Sequence, residues 1–183
     1  MTKFLLISVL ILSQLTAQQE STTIPAAKPA DEVSWLNLGL GFGDPGIAVS
    51  IDFNSSFKNN RINQYNFNFN EEFILFGSTP PESVSSLAFL TGRYSKSKNW
   101  MIAYLGGAGI VTGYRRGDLI SSGQGWFSSS EYKKDRFMAL GVMGNFQVFF
   151  TPFSGLGIGL ELFACLNPEV PNVSVLFSLQ LGG

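Results

Sequence analysis

Two sets of side chains in this 183-residue sequence could do chemistry. The first is polar and scattered along the chain. It comprises the carboxylates Asp52, Glu72 and Glu161 and the amides Asn37, Asn68, Asn145, Gln147 and Gln180. Carboxylates gathered on one face can pass a proton or hold a cation. Amides both donate and accept, so they can close a hydrogen-bond network around such acids. The second set is local. The segment 115–135, RRGDLISSGQGWFSSSEYKKD, brings together Arg115, Arg116, Asp118, Trp126 and Phe127. An aromatic pair in a loop can anchor a partner, dip into a lipid interface or pack over whatever lies beneath it. Arg116-Gly117-Asp118 spells a cell-adhesion tripeptide, but three common residue types recur by chance.

Composition removes several other chemistries. The chain has no His, which excludes Ser-His-Asp and Cys-His catalysis and His-based metal sites. Glu71 and Glu72 are neighbours in sequence, not two acids poised across a cleft. The glycines around Gly107 and Gly109 lead into no helix, so they make no phosphate loop. No catalytic residue, metal site or cofactor is expected. Cys165 is the single cysteine, with no internal partner and no nearby cation to activate it. It reads as a small, buried, inert side chain. A formal net charge of −1 gives no electrostatic case for nucleic acid. Asn54-Ser55-Ser56 and Asn172-Val173-Ser174 match the glycosylation sequon, which matters only in a eukaryotic secretory pathway.

The elements that position these residues are strands. Residues 1–17 read as a secretory signal peptide: Lys3, then the apolar run 4–12, then Thr16-Ala17 before Gln18. Residues 18–32 read as a flexible leader, and 33–183 as one β domain. From Val33 the pattern alternates with period 2, and no convincing helical period appears. Eight strands are predicted, over 35–42, 46–54, 65–76, 84–94, 100–114, 136–150, 155–165 and 172–182. One face is large and apolar from strand to strand; the other is Gly, Ala, Ser, Asn and Gln with a few acids. Without Lys3, the chain keeps 24 charged residues, 11 basic and 13 acidic. Six of them fall in the predicted strands: Asp52, Glu71, Glu72, Arg93, Arg136 and Glu161. A soluble sandwich puts charge on its solvent face, whereas a lipid-facing barrel keeps charge at its ends.

With these features the chain resembles the small eight-stranded outer-membrane β-barrels of the OmpA/OmpX type. The resemblance covers roughly 33–182. It implies an all-β, eight-stranded antiparallel up-and-down transmembrane β-barrel in the bacterial outer membrane, contacting membrane lipids and serving structurally or as a protein partner. Trp35, Tyr65, Tyr94, Trp100, Phe149 and Phe150 lie near strand ends, where they would form interface girdles. The C-terminus, Leu179-Gln-Leu-Gly-Gly183, departs from the family, which usually ends its last strand on an aromatic residue.

Eight strands enclose an interior just wide enough for side chains to fill. The first set of polar residues, with Ser50, Asn66 and Ser174, should face it. Arg93 or Arg136 would neutralise the inward acids, or water would enter. Two uses are open, a proton or cation path and a plug network, and the plug is preferred. With both termini periplasmic, the outer loops are 43–45, 77–83, 115–135 and 166–171. Turns at 55–64, 95–99 and 151–154 face inward to the cell. Two rivals remain: a soluble periplasmic lipocalin-like barrel with the apolar face inside, and a lipid-modifying membrane barrel enzyme.

Overall fold

The computed structural model describes residues 33–74, 81–121 and 131–183. The proposed signal peptide and leader lie outside the described residues, as do Trp126 and Phe127. Eight antiparallel strands form a closed barrel in simple sequential order. They are β1 (Ser34–Gly43), β2 (Ile47–Phe57), β3 (Arg61–Glu71), β4 (Ser83–Ser97), β5 (Trp100–Ser121), β6 (Glu131–Phe153), β7 (Leu156–Leu166) and β8 (Asn172–Gly182). The last strand returns to the first, from Trp35 opposite Gly182 to Gly43 opposite Ser174, so no edge is left unpaired. Five of the strands have 10 or 11 residues, the length a tilted strand needs to cross a bilayer.

Alternation sorts the side chains as the pattern predicts. Outward-facing Leu40, Leu140 and Phe177 are 62%, 78% and 60% exposed, while inward-facing Asn37, Asp52 and Gln147 are fully buried. The inward face, however, is not uniformly small and polar. Leu90, Leu105, Val111, Met143, Phe149, Phe163 and Leu176 are all buried inside. Leu90, Leu105 and Val111 make β4 and β5 an apolar stretch of wall, next to the amide-rich β3. Cys165 is buried, as expected.

The girdle assignment needs correction. Trp35 and Phe149 point into the barrel, and Tyr94 packs edge-on against Trp35 with ring centroids 6.0 Å apart. Strand parity dictates this: Trp35 shares a face with Asn37, and Phe149 with Gln147. Tyr65, Trp100 and Phe150 do face outward, the last two with rings 5.2 Å apart.

The connections at the two ends differ in length. At the end carrying the termini they are 58–60, 98–99 and 154–155; at the opposite end they are 44–46, 72–82, 122–130 and 167–171. The β2–β3 connection is much shorter than 55–64. Asn59 and Asn60 both adopt left-handed backbone angles, φ 65° and 57°. Asn tolerates that region, and consecutive left-handed residues turn a hairpin tightly. The largest correction is at 115–135. There β5 and β6 continue past the apolar belt, pairing Arg115 with Asp135 and Arg116 with Lys134, with register shifts beyond.

The Ser154–Gly155 turn supplies a test. Gly155 has φ +82°, which a β-branched residue adopts only under strain. Gly155→Val should destabilise the folded barrel by about 1–2 kcal/mol, and Ser154→Ala should change little. Urea unfolding in lipid vesicles measures both.

Candidate functional site

Inside the barrel, β2 and β3 carry an inward row of polar residues. Asp52, Asn54, Gln64, Asn66, Asn68 and Asn70 are all buried. Asn145 and Gln147 on β6 and Glu161 on β7 face them. Side chains bridge strands that are not neighbours. Asn145 Nδ2 donates to Gln64 Oε1 at 3.1 Å, joining β6 to β3. Asn37 Nδ2 donates to Gln147 Oε1 at 3.5 Å, joining β1 to β6. Ser174 Oγ donates to Asn70 Oδ1 at 2.9 Å, joining β8 to β3. Three such bridges cross the lumen, so at these levels it is occupied by protein and is not an open channel.

The two inward acids sit within this network. Asn66 Nδ2 donates to Asp52 Oδ1. Asn145 Nδ2 and Gln147 Nε2 donate to Glu161 Oε2 at 3.3 and 3.2 Å. Asp52 on β2 and Glu161 on β7 face each other across the lumen, near enough for the two carboxyls to act on each other. Asp52 Oδ2 and Glu161 Oε1 accept no hydrogen bond from the described residues. Neither arginine expected to neutralise these acids does so: Arg93 and Arg136 are exposed, near opposite ends of the barrel. Their positions on the outward parity of β4 and β6 exclude them from the lumen. Among the described residues, amides supply the hydrogen bonds that the two acids accept.

Of the lumen residues read from the sequence, Asn37, Asp52, Asn68, Asn145, Gln147, Glu161 and Gln180 are buried inside. Glu72 is not among them. It follows the end of β3 and belongs to the loop-bearing rim. Asn54, Gln64 and Asn70 were not singled out, although Gln64 Nε2 donates to Asn54 Oδ1 at 2.9 Å and Asn70 Nδ2 to Asn68 Oδ1 at 2.7 Å. Asn54 and Asn70 share the parity of Asp52 and Asn68, which was signal enough. Gln64 was hidden because β3 begins four residues before the predicted strand.

The rim is a set of ionic ties. Arg116 on β5 binds the Glu72 carboxylate through Nη2, and its backbone N–H donates to Glu82 Oε1 at 3.0 Å. Glu72 and Glu82, which flank the described ends of the 72–82 connection, also bond each other: Glu72 N donates to Glu82 O at 2.9 Å. Arg115 Nη1 pairs with Glu169 Oε2 at 2.9 Å, tying β5 to the β7–β8 connection. Lys134 Nζ lies 4.1 Å from the Tyr114 ring centre. The arginine of the adhesion tripeptide is thus engaged in holding the rim. Asp118 lies on the outer extension of β5 and is exposed.

The Arg116 hydrogen bond holds the Glu72 carboxyl below its ordinary value. A carboxylate stabilised this way contributes in full above the ordinary glutamate value. Its contribution is lost as pH falls through the lowered value in the folded protein. Arg116→Ala should therefore move the Glu72 titration upward, which NMR of the labelled carboxyl carbon would read. An unmoved titration would mean that the pair does not form in solution.

The lumen yields a test of opposite sign. Asp52→Asn keeps the shape and the bond from Asn66, and gives Glu161 Oε1 a donor. It should stabilise the barrel by about 1 kcal/mol, whereas Gln64→Leu, which strands Asn54 Oδ1, should cost about 1–3 kcal/mol. Urea unfolding of both variants beside the parent would measure the difference.

Comparison with known proteins places the fold. No protein-family profile matches the sequence, and no curated protein does. Solved structures do match. Neisserial surface protein A superposes with a TM-score of 0.55 at 7% identity, over 86% of this chain and 100% of that one. Ail, the attachment invasion locus protein of Yersinia pestis, solved in complex with the heparin analogue sucrose octasulfate, superposes with a TM-score of 0.53 at 11% identity, over 82% of this chain and 97% of that one. The chain has the fold of the small eight-stranded outer-membrane barrels.

Proposed function

We propose that this chain is a non-catalytic bacterial outer-membrane barrel, closed to solute flow by its side-chain plug, that presents its loop-bearing rim to a partner. One observation carries the reading: the polarity of the wall is inverted relative to a soluble barrel. A continuous outer belt is apolar and exposed, while the amides and acids are inside. Soluble monomers do not leave apolar surface of that extent in water. A lipocalin-like barrel requires the apolar face inside, so this arrangement removes it as an alternative. Short turns at the end with the termini and, apart from 44–46, longer connections at the other match the periplasmic and external ends of such barrels.

The partner-contact surface is the outer extension of β5 and β6 with the 122–130 connection. Arg115 and Arg116 brace it against the neighbouring connections, Asp118 lies on its exposed face, and Trp126 and Phe127 fall within the connection. Ail binds a sulfated sugar analogue in the cited structure, but the charges here do not favour a polyanion. The rim holds Arg115, Arg116, Lys133, Lys134 and Arg136 against eight acids. A protein partner fits that mixture better.

The chain should sediment with outer membranes and resist carbonate extraction; recovery in the soluble periplasm would overturn the membrane reading. An Arg at mid-depth on the lipid face costs about 2–4 kcal/mol and little near the interface. Phe177→Arg should therefore destabilise the barrel far more than Val173→Arg, as measured by unfolding in vesicles. Equal costs would contradict a bilayer centred on the strands.

A further inference from the structure

The end of the barrel with the short turns carries a distinct charge pattern. Lys58, Arg61, Arg93, Lys96 and Lys98 lie there. Among the described residues no acidic side chain accompanies them. Asp52 and Glu161 are inside the lumen, and every other described acid is at the opposite end, as are all three side-chain ion pairs between described residues.

Two of these cations face each other. Arg61 on β3 is the direct cross-strand partner of Arg93 on β4, and both are exposed on the outside of the wall. Like charges directly opposite destabilise a sheet unless a counter-charge lies between them. Moving toward mid-barrel on the same outward face, the next pair is Asn63 with Thr91. The pair after that is Tyr65 with Phe89, ring centroids 5.3 Å apart. Successive pairs are about 7 Å apart along the strands. Phe57, Lys58, Asn59, Arg61, Asn63 and Thr91 border a groove on this surface.

We propose that this face is a binding site for one anionic phospholipid of the periplasmic leaflet. The three pairs follow the lipid from headgroup to tail. Two guanidiniums match a phosphodiester, for which Arg is suited by its planar fork of donors. The Asn63 amide and the Thr91 hydroxyl meet the ester level, where donors and acceptors are both needed. The Tyr65–Phe89 rings meet the start of the acyl chains. A free phosphate would engage only the first pair; a phospholipid engages all three. Lys58, Lys96 and Lys98 add attraction toward the same leaflet. The inference rests on the outer-membrane reading above.

The test uses the full chain folded in phosphatidylcholine nanodiscs, with bound lipid identified by native mass spectrometry after addition of phosphatidylglycerol. The chain should retain phosphatidylglycerol at least tenfold over phosphatidylcholine, an order set by two cations near a lipid surface. Arg61→Gln with Arg93→Gln should abolish the preference, while Lys96→Gln with Lys98→Gln, an equal loss of charge, should keep most of it. Equal retention of both lipids by the parent chain would overturn the site. An equal loss in both double variants would also do so, since it would show diffuse charge attraction. Displacement of the lipid by millimolar inorganic phosphate would reduce it to an ion site and refute the lipid. Should the arginine variant fail to fold, Asn63→Leu with Thr91→Val tests the second pair, with weakened retention expected and unchanged retention contradicting the proposal. Failure of the membrane reading looks different: the chain would then be recovered folded without detergent.

Discussion

The hydrogen-bonded seam between β1 and β8 is the interaction on which the rest of the structure depends. Closing the sheet satisfies every strand along its length, and only a closed sheet can stand in hydrocarbon without exposed backbone polar groups. Closure also divides the side chains into two populations with no intermediate. Those outside must be acceptable to lipid, and those inside must satisfy one another in a space too narrow for bulk water. Gly39 shows how narrow it is: a Cβ there would lie 2.3 Å from Ser50 Oγ and 2.8 Å from Ser178 Oγ.

The interior meets that demand in two ways. Leu90, Leu105 and Val111 on β4 and β5 contribute an apolar wall that needs no partners. The amides of β1, β3 and β6 contribute bridges, and their N–H groups converge on Asp52 and Glu161. The two acids are the expensive part of this design, because the bonds they accept come from amides and one oxygen of each has no donor among the described residues. The two ends of the barrel are built differently again. One end combines acids and bases into ties that hold the loop bases; the other carries only bases among its described residues.

Much of this was legible in the sequence, because period-2 alternation is a strong signal when the outer face is as apolar as it is here. All eight strands are present, and β8 runs over the residues predicted for it. What escaped was physical in each case. The Asn59–Asn60 turn depends on left-handed angles that amino-acid type permits but does not announce. The extension of β5 and β6 is charged on its outer surface, since it stands clear of lipid, and charged alternation resembles a loop. Glu72 looked inward by parity, but parity ends where β3 ends. The pairing of Arg61 with Arg93 required the β3–β4 register, because the two residues are 32 positions apart in sequence.

The central claim is that the apolar face meets lipid while the amide-lined face does not. Natural methyl groups on both faces allow a direct measurement with no substitution. In methyl-labelled protein reconstituted in nanodiscs, NOEs from lipid acyl chains should reach Leu140, Leu160 and Val175. They should not reach Leu90, Val111 or Leu176, which are fully buried inside the barrel. Acyl-chain NOEs to Leu90, Val111 and Leu176, or their absence from Leu140, Leu160 and Val175, would contradict the inverted wall.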